Sequence, residues 1–420
     1  MDLPSFPLLQ LALLLPLLLL LPLLCFFLLR HDPKKQPRAH GLKCYPLISI
    51  IPDFLKNQHR FLDWSTDVVK RDPGHTMSFK ALGLTGGAIT ANPANVEHIG
   101  ELAVSMLEDF LGYGIFNSDG EQWLWQRKAA SYEFSKRSLR SFVVDAVRFE
   151  VVERLLPLLE RAARDGATLD VQDALERFAT RRLRGTIHGY ANRIILERRE
   201  RGEAGGDDFL SRFAASGEHS DESLRDVVTN FLLAGRDTTS SALTWFFWLV
   251  SGRPDVEDKI VREIRSVRAA SAGSATAFSF DELREMQYLQ AAITESMRLY
   301  PPAAVDTHSC KEDDFLPDGT FARVEDIWGE DCEEFRPERW LGEDGAFRPE
   351  SPFKYPVFHA GPRMCLGKEM AYIQMKSIVA CVLERFRFRF VGGEGWPGLV
   401  LSLTLRMEGG LPMKVIERNS

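Results

Sequence analysis

The stretch Phe358-His359-Ala360-Gly361-Pro362-Arg363-Met364-Cys365-Leu366-Gly367 decides how this sequence reads. A cysteine stands between two glycines, an arginine precedes it by two residues, and an amphipathic run, Lys368 to Phe388, follows it. That order puts the sulfur at a helix N-terminus, where unsatisfied N–H groups and the positive dipole end favour a thiolate. Gly361 permits a tight turn, and Gly367 lets a flat macrocycle approach the backbone. Arg363 offers a charge-assisted partner to a carboxylate at the edge of such a ring. Phe358 can shield the sulfur from water. A lone cysteine is usually a small buried hydrophobe, and that reading is kept for Cys25, Cys44, Cys310, Cys332 and Cys381.

The pattern Phe-x-x-Gly-x-Arg-x-Cys-x-Gly resembles the haem-binding loop of the cytochrome P450 monooxygenases. In that family a cysteine thiolate holds the haem iron and pushes electron density toward it, favouring O–O cleavage. The resemblance implies haem b, with Cys365 as axial iron ligand, Arg363 on a propionate, and Phe358, Gly361 and Gly367 shaping the loop. Three companions occur in family order. Trp123 and Arg127 lie four residues apart on one helix face and can both hold a propionate. Ala234-Gly235-Arg236-Asp237-Thr238-Thr239 lies midway along an apolar helix. A threonine hydroxyl bonded back one turn often bends a helix, and an opening at Ala234-Gly235 would leave room for dioxygen. Thr238 and Asp237 are then the catalytic proton relay. Glu295 and Arg298, with Phe335-Arg336-Pro337-Glu338-Arg339-Trp340, match the family's Glu-x-x-Arg and Pro-Glu-Arg-aromatic elements. The resemblance makes Glu295, Arg298 and Arg339 a structural network.

Composition sets the outer bounds. The chain has 420 residues, 45% of them hydrophobic, and a net charge of −7. A large core is within reach, whereas bulk nucleic-acid binding wants a basic domain. Six scattered cysteines without a CxxC exclude a disulfide scaffold and a zinc ribbon. Leu3 to Leu29 carries no charge and would span roughly 40 Å as a helix. Arg30, Lys34, Lys35 and Arg38 follow, which puts the C-terminal side in the cytosol. A cleaved signal peptide is the rival, opposed by Asp2, the length of the run and the lack of a small-residue cleavage site. Phe231 to Val250 is also apolar, but Arg236 and Asp237 inside it make it a buried helix instead.

The expected fold is mainly α with a minor β-sheet, a P450-like helical haem domain behind an N-terminal anchor. Residues 1–29 form the anchor, 30–60 a basic, Pro-containing linker, and 61–420 the haem-thiolate domain. Helices are expected over Asp145–Arg164, Asp281–Leu299, and from Ser220 to about Gly252. Strands are expected over Thr76–Thr90 and over Val400–Ile416, with a Gly409-Gly410 turn inside the latter.

Pro52-Asp53-Phe54-Leu55, Phe116-Asn117-Ser118-Asp119-Gly120, the stretch Phe246 to Pro254, and the Cys365 loop resemble the plant fatty-acid ω-hydroxylase branch, which also contains jasmonoyl-isoleucine hydroxylases. This implies hydroxylation at or near the end of a fatty acyl chain. Electrons would come from an NADPH-cytochrome P450 reductase at the endoplasmic reticulum membrane, with the catalytic domain facing the cytosol. By that resemblance the chain is short near 178–182, where the family has helices roofing the substrate pocket, and near 320–324, where it has strands and a short helix between the Glu-x-x-Arg and Pro-Glu-Arg elements. Two alternatives stay open: a shortened haem-binding form without activity, and a non-enzymatic membrane-anchored protein.

Overall fold

The computed structural model describes residues 38–39, 42–43, 51–72, 76–79, 87–92, 95, 114–116, 118, 120–134, 147–178, 221–271, 277–304, 328–393 and 395–418. The expected anchor and the shortened position 320–324 lie outside them, as does all but Phe178 of the shortened position 178–182. Among the described residues no helix is long and apolar enough to cross a membrane. The chain divides into two compact units, one of residues 1–92 and 318–326, the other of 93–317 and 327–420.

In the first unit, β1 (Arg38–Ala39) pairs antiparallel with β2 (Leu42–Lys43). Helix α1 (Ile51–Asn57) and a 3-10 turn lead into α2 (Phe61–Arg71). Pro52 sits in the first turn of α1, where its missing N–H costs nothing. Trp64, Val68 and Val69 recur at helical spacing on α2 and are buried with Met77. The segment Thr76–Thr90 is a hairpin, β3 (Thr76–Phe79) against β4 (Gly87–Thr90).

The second unit carries the helical bulk. Its described residues include α3 (Gly120–Phe134). The helix expected over Asp145–Arg164 is interrupted by a π-turn, Val151–Leu155, before α4 (Leu156–Asp165). Then come β5 (Thr168–Asp170), α5 (Val171–Phe178), α6 (Asp221–Ser251) and α7 (Pro254–Ala270). Helix α6 ends at the expected Gly252 and Pro254, and its C-terminal half, Ser240 to Phe247, is buried throughout.

One expected helix is two. Between α8 (Phe280–Glu285) and α9 (Gln287–Leu299), Met286 leaves helical geometry at φ −78°, ψ 83°. Helix α8 is closed by a Ser279–Glu282 capping box. Helix α9 has no cap of its own, so the Glu263 carboxylate of α7 accepts the N–H groups of Tyr288 (2.7 Å) and Leu289 (2.8 Å). A tertiary contact fixes this boundary.

The amphipathic run expected over Lys368 to Phe388 is helix α10 (Lys368–Arg385) up to Arg385, and almost every residue from Met370 to Leu383 is buried. A helix covered all round is a core helix. It runs into β6 (Phe386–Phe390), followed by β7 (Leu399–Leu401), β8 (Leu405–Met407) and β9 (Pro412–Glu417). The Gly409-Gly410 turn, at φ 75° and 82°, does not fold β9 back on β8. Strand β8 pairs with β7, while β9 crosses to an antiparallel sheet of order β5-β9-β6. A side chain at Gly410 would collide with the Asp170 carboxylate, which instead accepts the Leu411 N–H at 2.9 Å.

Candidate active site

The Cys365 loop is a closed turn. The Cys365 N–H returns to the Phe358 carbonyl (2.8 Å) and the Met364 N–H to Gly361 (3.2 Å). Gly361 has φ 65°, and His359, a residue with a side chain, has φ 58°. Such positive φ is costly for a non-glycine, so the two 3-10 turns Pro356–Phe358 and Gly361–Arg363 that lead to the cysteine are held by their surroundings. Gly367 is the N-cap of α10, which aims the amides of Gly367 and Lys368 at the sulfur. Cys365 keeps an exposed face, yet the protein around it desolvates the thiol and pushes it up. The Gly367 amide and the charges of Arg127 and Lys368 pull the other way.

Helix α3 joins this loop. The Arg363 guanidinium lies 4.6 Å from the centre of the Trp123 ring and donates to the Ser118 carbonyl at 3.2 Å. Arg127 donates to the carbonyl of Met364, the residue before the cysteine. Burial pulls Arg127 below its ordinary value, opposed by the Cys365 sulfur and reinforced by Arg363. Trp123, Arg127, Arg363 and Cys365 are thus brought together, with Phe358 packed on Tyr372 at 5.4 Å.

Glu295 and Arg298 form a bidentate pair at 2.7 and 2.9 Å, with the Glu295 side chain 0% exposed. Glu295 also accepts the Trp340 indole N–H (2.8 Å), the Arg336 backbone N–H (3.1 Å) and Arg339 Nε (3.4 Å). Arg298 donates to the Cys332 and Glu334 carbonyls, and Arg339 to those of Trp328 and Asp331. Sequence reasoning named the three charges. It missed Trp340 as a direct partner, although the aromatic after Pro337-Glu338-Arg339 was the available signal.

Helix α6 runs unbroken through Ala234-Gly235, so the local opening expected there is absent from the helix. Thr238 Oγ1 donates to the Ala234 carbonyl at 2.6 Å and Thr239 Oγ1 to Gly235 at 3.0 Å. Room is found beside the helix: a Cβ on Gly235 would meet nothing within 4 Å. Asp237 pairs with Arg236 at 3.2 Å. Burial raises the Asp237 carboxyl, against the lowering charges of Arg236 and Arg406. Arg406 is itself held by Glu176 at 2.7 Å, a group sequence reasoning did not single out. A cavity of about 660 Å³ between α4 and β9 shares no residue with this site.

The donor set suits an anionic sulfur ligand flanked by acidic groups: an exposed thiol under two amides, and two guanidinium groups and an indole beside it. The residues fit haem. The family description Cytochrome P450 matches residues 180–401. Cytochrome P450 CYP94D108 of Paris polyphylla is 41% identical over 507 aligned positions, covering 100% of this chain and 99% of the relative.

The chain belongs to the cytochrome P450 family.

Among further P450 relatives, cytochrome P450 94B1 of Arabidopsis thaliana is 39% identical, with 89% of this chain and 91% of the relative covered. Cytochrome P450 94A1 of Vicia sativa is 34% identical at 90% and 91% coverage. This P450 is therefore an oxidoreductase of the monooxygenase type, mainly helical with a minor sheet.

Proposed function

We propose that this chain hydroxylates fatty acids or fatty-acid-derived signals at or near the chain end, through a haem held by Cys365. The carrying observation is the Cys365 thiol at the α10 N-terminus, with Gly367 and Lys368 amides directed at it and Arg127 and Arg363 alongside. When bound, the haem supplies dioxygen activation for insertion into a C–H bond. The protein's own share is positional and protonic. Gly361 and Gly367 would leave room for a flat ring at the loop and helix start, and Phe358 would help keep water from the sulfur once the ring is bound. Arg127, Arg363 and Trp123 orient acidic edge groups. Thr238 holds a hydroxyl proton at Oγ1 and Asp237 is the carboxyl that replenishes it. Its raised affinity for protons suits that role. Glu295, Arg298 and Arg339 hold the scaffold on which the loop rests.

The apolar run Leu3–Leu29 and the basic residues after it support a single-pass anchor in the endoplasmic reticulum membrane with the enzyme in the cytosol. An NADPH-cytochrome P450 reductase is then the electron donor. A second reading, a haem-binding form without turnover, is favoured by length: the CYP94D108 alignment runs over 507 positions, against 420 residues here.

The test is the reduced, carbon-monoxide-bound absorption spectrum of the purified chain. A thiolate-type Soret band that disappears in Cys365→Ala supports the ligand, and a colourless chain after haemin reconstitution overturns it. NADPH-driven turnover of a fatty-acid series with reductase then separates the active from the inactive reading.

A further inference from the structure

Four aromatic rings run contiguously from the interior of the second unit to its surface. Trp245 of α6 is fully buried and lies flat on Tyr300, centroids 4.2 Å apart and planes within 2°. Trp248 stands edge-on to both, at 5.9 Å from Trp245 and 5.7 Å from Tyr300. Trp396 meets Trp248 at 5.3 Å and Tyr300 at 6.4 Å, and is 73% exposed. Core packing explains the inner rings. It does not explain ending the series on an indole left mostly in water.

The inner end is fixed by hydrogen bonds. The Trp245 indole N–H donates to the Leu405 carbonyl (3.2 Å), which also accepts the Ser241 hydroxyl (2.6 Å). Trp245 lies seven residues beyond Thr238 on unbroken α6, so both lie on one face, roughly 10 Å apart along the axis.

We propose that Trp245, Tyr300, Trp248 and Trp396 form a one-electron escape route, carrying oxidising equivalents from the oxygen-handling side of α6 to solvent. Indole and phenol rings are among the most easily oxidised side chains, and every neighbour here is near contact distance. The oxidant is hydrogen peroxide reacting at bound haem, so the route rests on the haem reading above. Trp245 gives up one electron inward and regains one from Tyr300 or Trp248, which regains one from Trp396. Tyr300 releases its phenol proton when oxidised and takes one back when reduced. The vacancy ends on Trp396, which loses its indole proton to water and is reset by one electron and one proton from a solvent reductant such as ascorbate. Two such passes, with two protons, take one peroxide to two waters.

The experiment uses the haem-loaded full chain, verified by its carbon-monoxide spectrum, and treats it with hydrogen peroxide without substrate. Freeze-quenched electron paramagnetic resonance and peptide mass mapping locate the radical and the oxygenated residues. The expected result is an indolyl radical, with oxygenation concentrated on Trp396. Trp396→Phe keeps the carbon-monoxide spectrum but bleaches several-fold faster, and ascorbate, which slows bleaching of the parent, no longer helps. Trp125→Phe, which removes an exposed indole outside the series, behaves as the parent. If Trp396→Phe bleaches at the parental rate, or Trp396 is oxidised no more than in the haem-free chain, the route is overturned alone. A chain without the carbon-monoxide spectrum overturns both the route and the haem reading.

Discussion

The surroundings of Glu295 and of Asp237 treat a carboxylate in opposite ways. Glu295 has no exposed surface and receives a bidentate arginine, an indole N–H, a backbone N–H and a second arginine. Asp237, 25% exposed at its side chain, pairs with one adjacent arginine, and burial raises its carboxyl from the ordinary value. A carboxylate saturated with donors from several segments ties those segments together, so it holds structure. One left short of donors binds a proton more readily, which suits transfer.

The contrast is open to direct attack. Glu295→Gln should do most damage, because it strands Arg298 and Arg339 among buried carbonyls. Removing one member of a buried pair costs about 3–5 kcal/mol, and urea unfolding together with haem retention would register it. A loss no larger than that of a surface substitution would mean the network is decoration.

Lys376 extends the comparison to a cation. It is 6% exposed on α10, and burial lowers it to about 8, against the opposing charges of Glu263 and Glu285. The folded form binds the proton less tightly than the unfolded chain, so stability should rise with pH between about 8 and the unfolded value near 10.5. Lys376→Met should abolish that rise and stabilise the protein at neutral pH by on the order of 1–3 kcal/mol. Unfolding curves across the alkaline range check both.

Asp237→Asn should change stability at neutral pH by less than about 1 kcal/mol, and in the favourable direction. Because the folded carboxyl is raised, the wild-type chain loses stability as pH rises from the unfolded value through the folded one. The asparagine variant should lack that slope in acid titrations while coupling of electron use to product falls. A stability loss like that of Glu295→Gln would erase the distinction between the two carboxylates. Smallest of all, Arg154→Ala, which opens the exposed pair with Glu150 at 2.6 Å, should cost about 0.3 kcal/mol.

The chemistry-bearing residues were legible because their spacing is local. Cys365, Gly361 and Gly367 sit within one turn and a helix start, and Trp123 and Arg127 share a helical face. Helix α6 could be bounded from its polar start and Gly252-Arg253-Pro254 end. Other features were not legible. The break at Met286 depends on Glu263 reaching across from α7, and the partnership of Trp340 with Glu295 spans distant segments. The split of β8 from β9 depends on Asp170.

From the order of its residues alone, the chain determines a thiol before a helix, an arginine beside it and hydroxyls midway along an apolar helix, since neighbours in sequence are necessarily neighbours in space. Tertiary structure alone decides which carboxylate is saturated, which lysine is desolvated and which indoles stack. Those properties depend on solvent exclusion and on donors arriving from remote segments, and no local pattern encodes either.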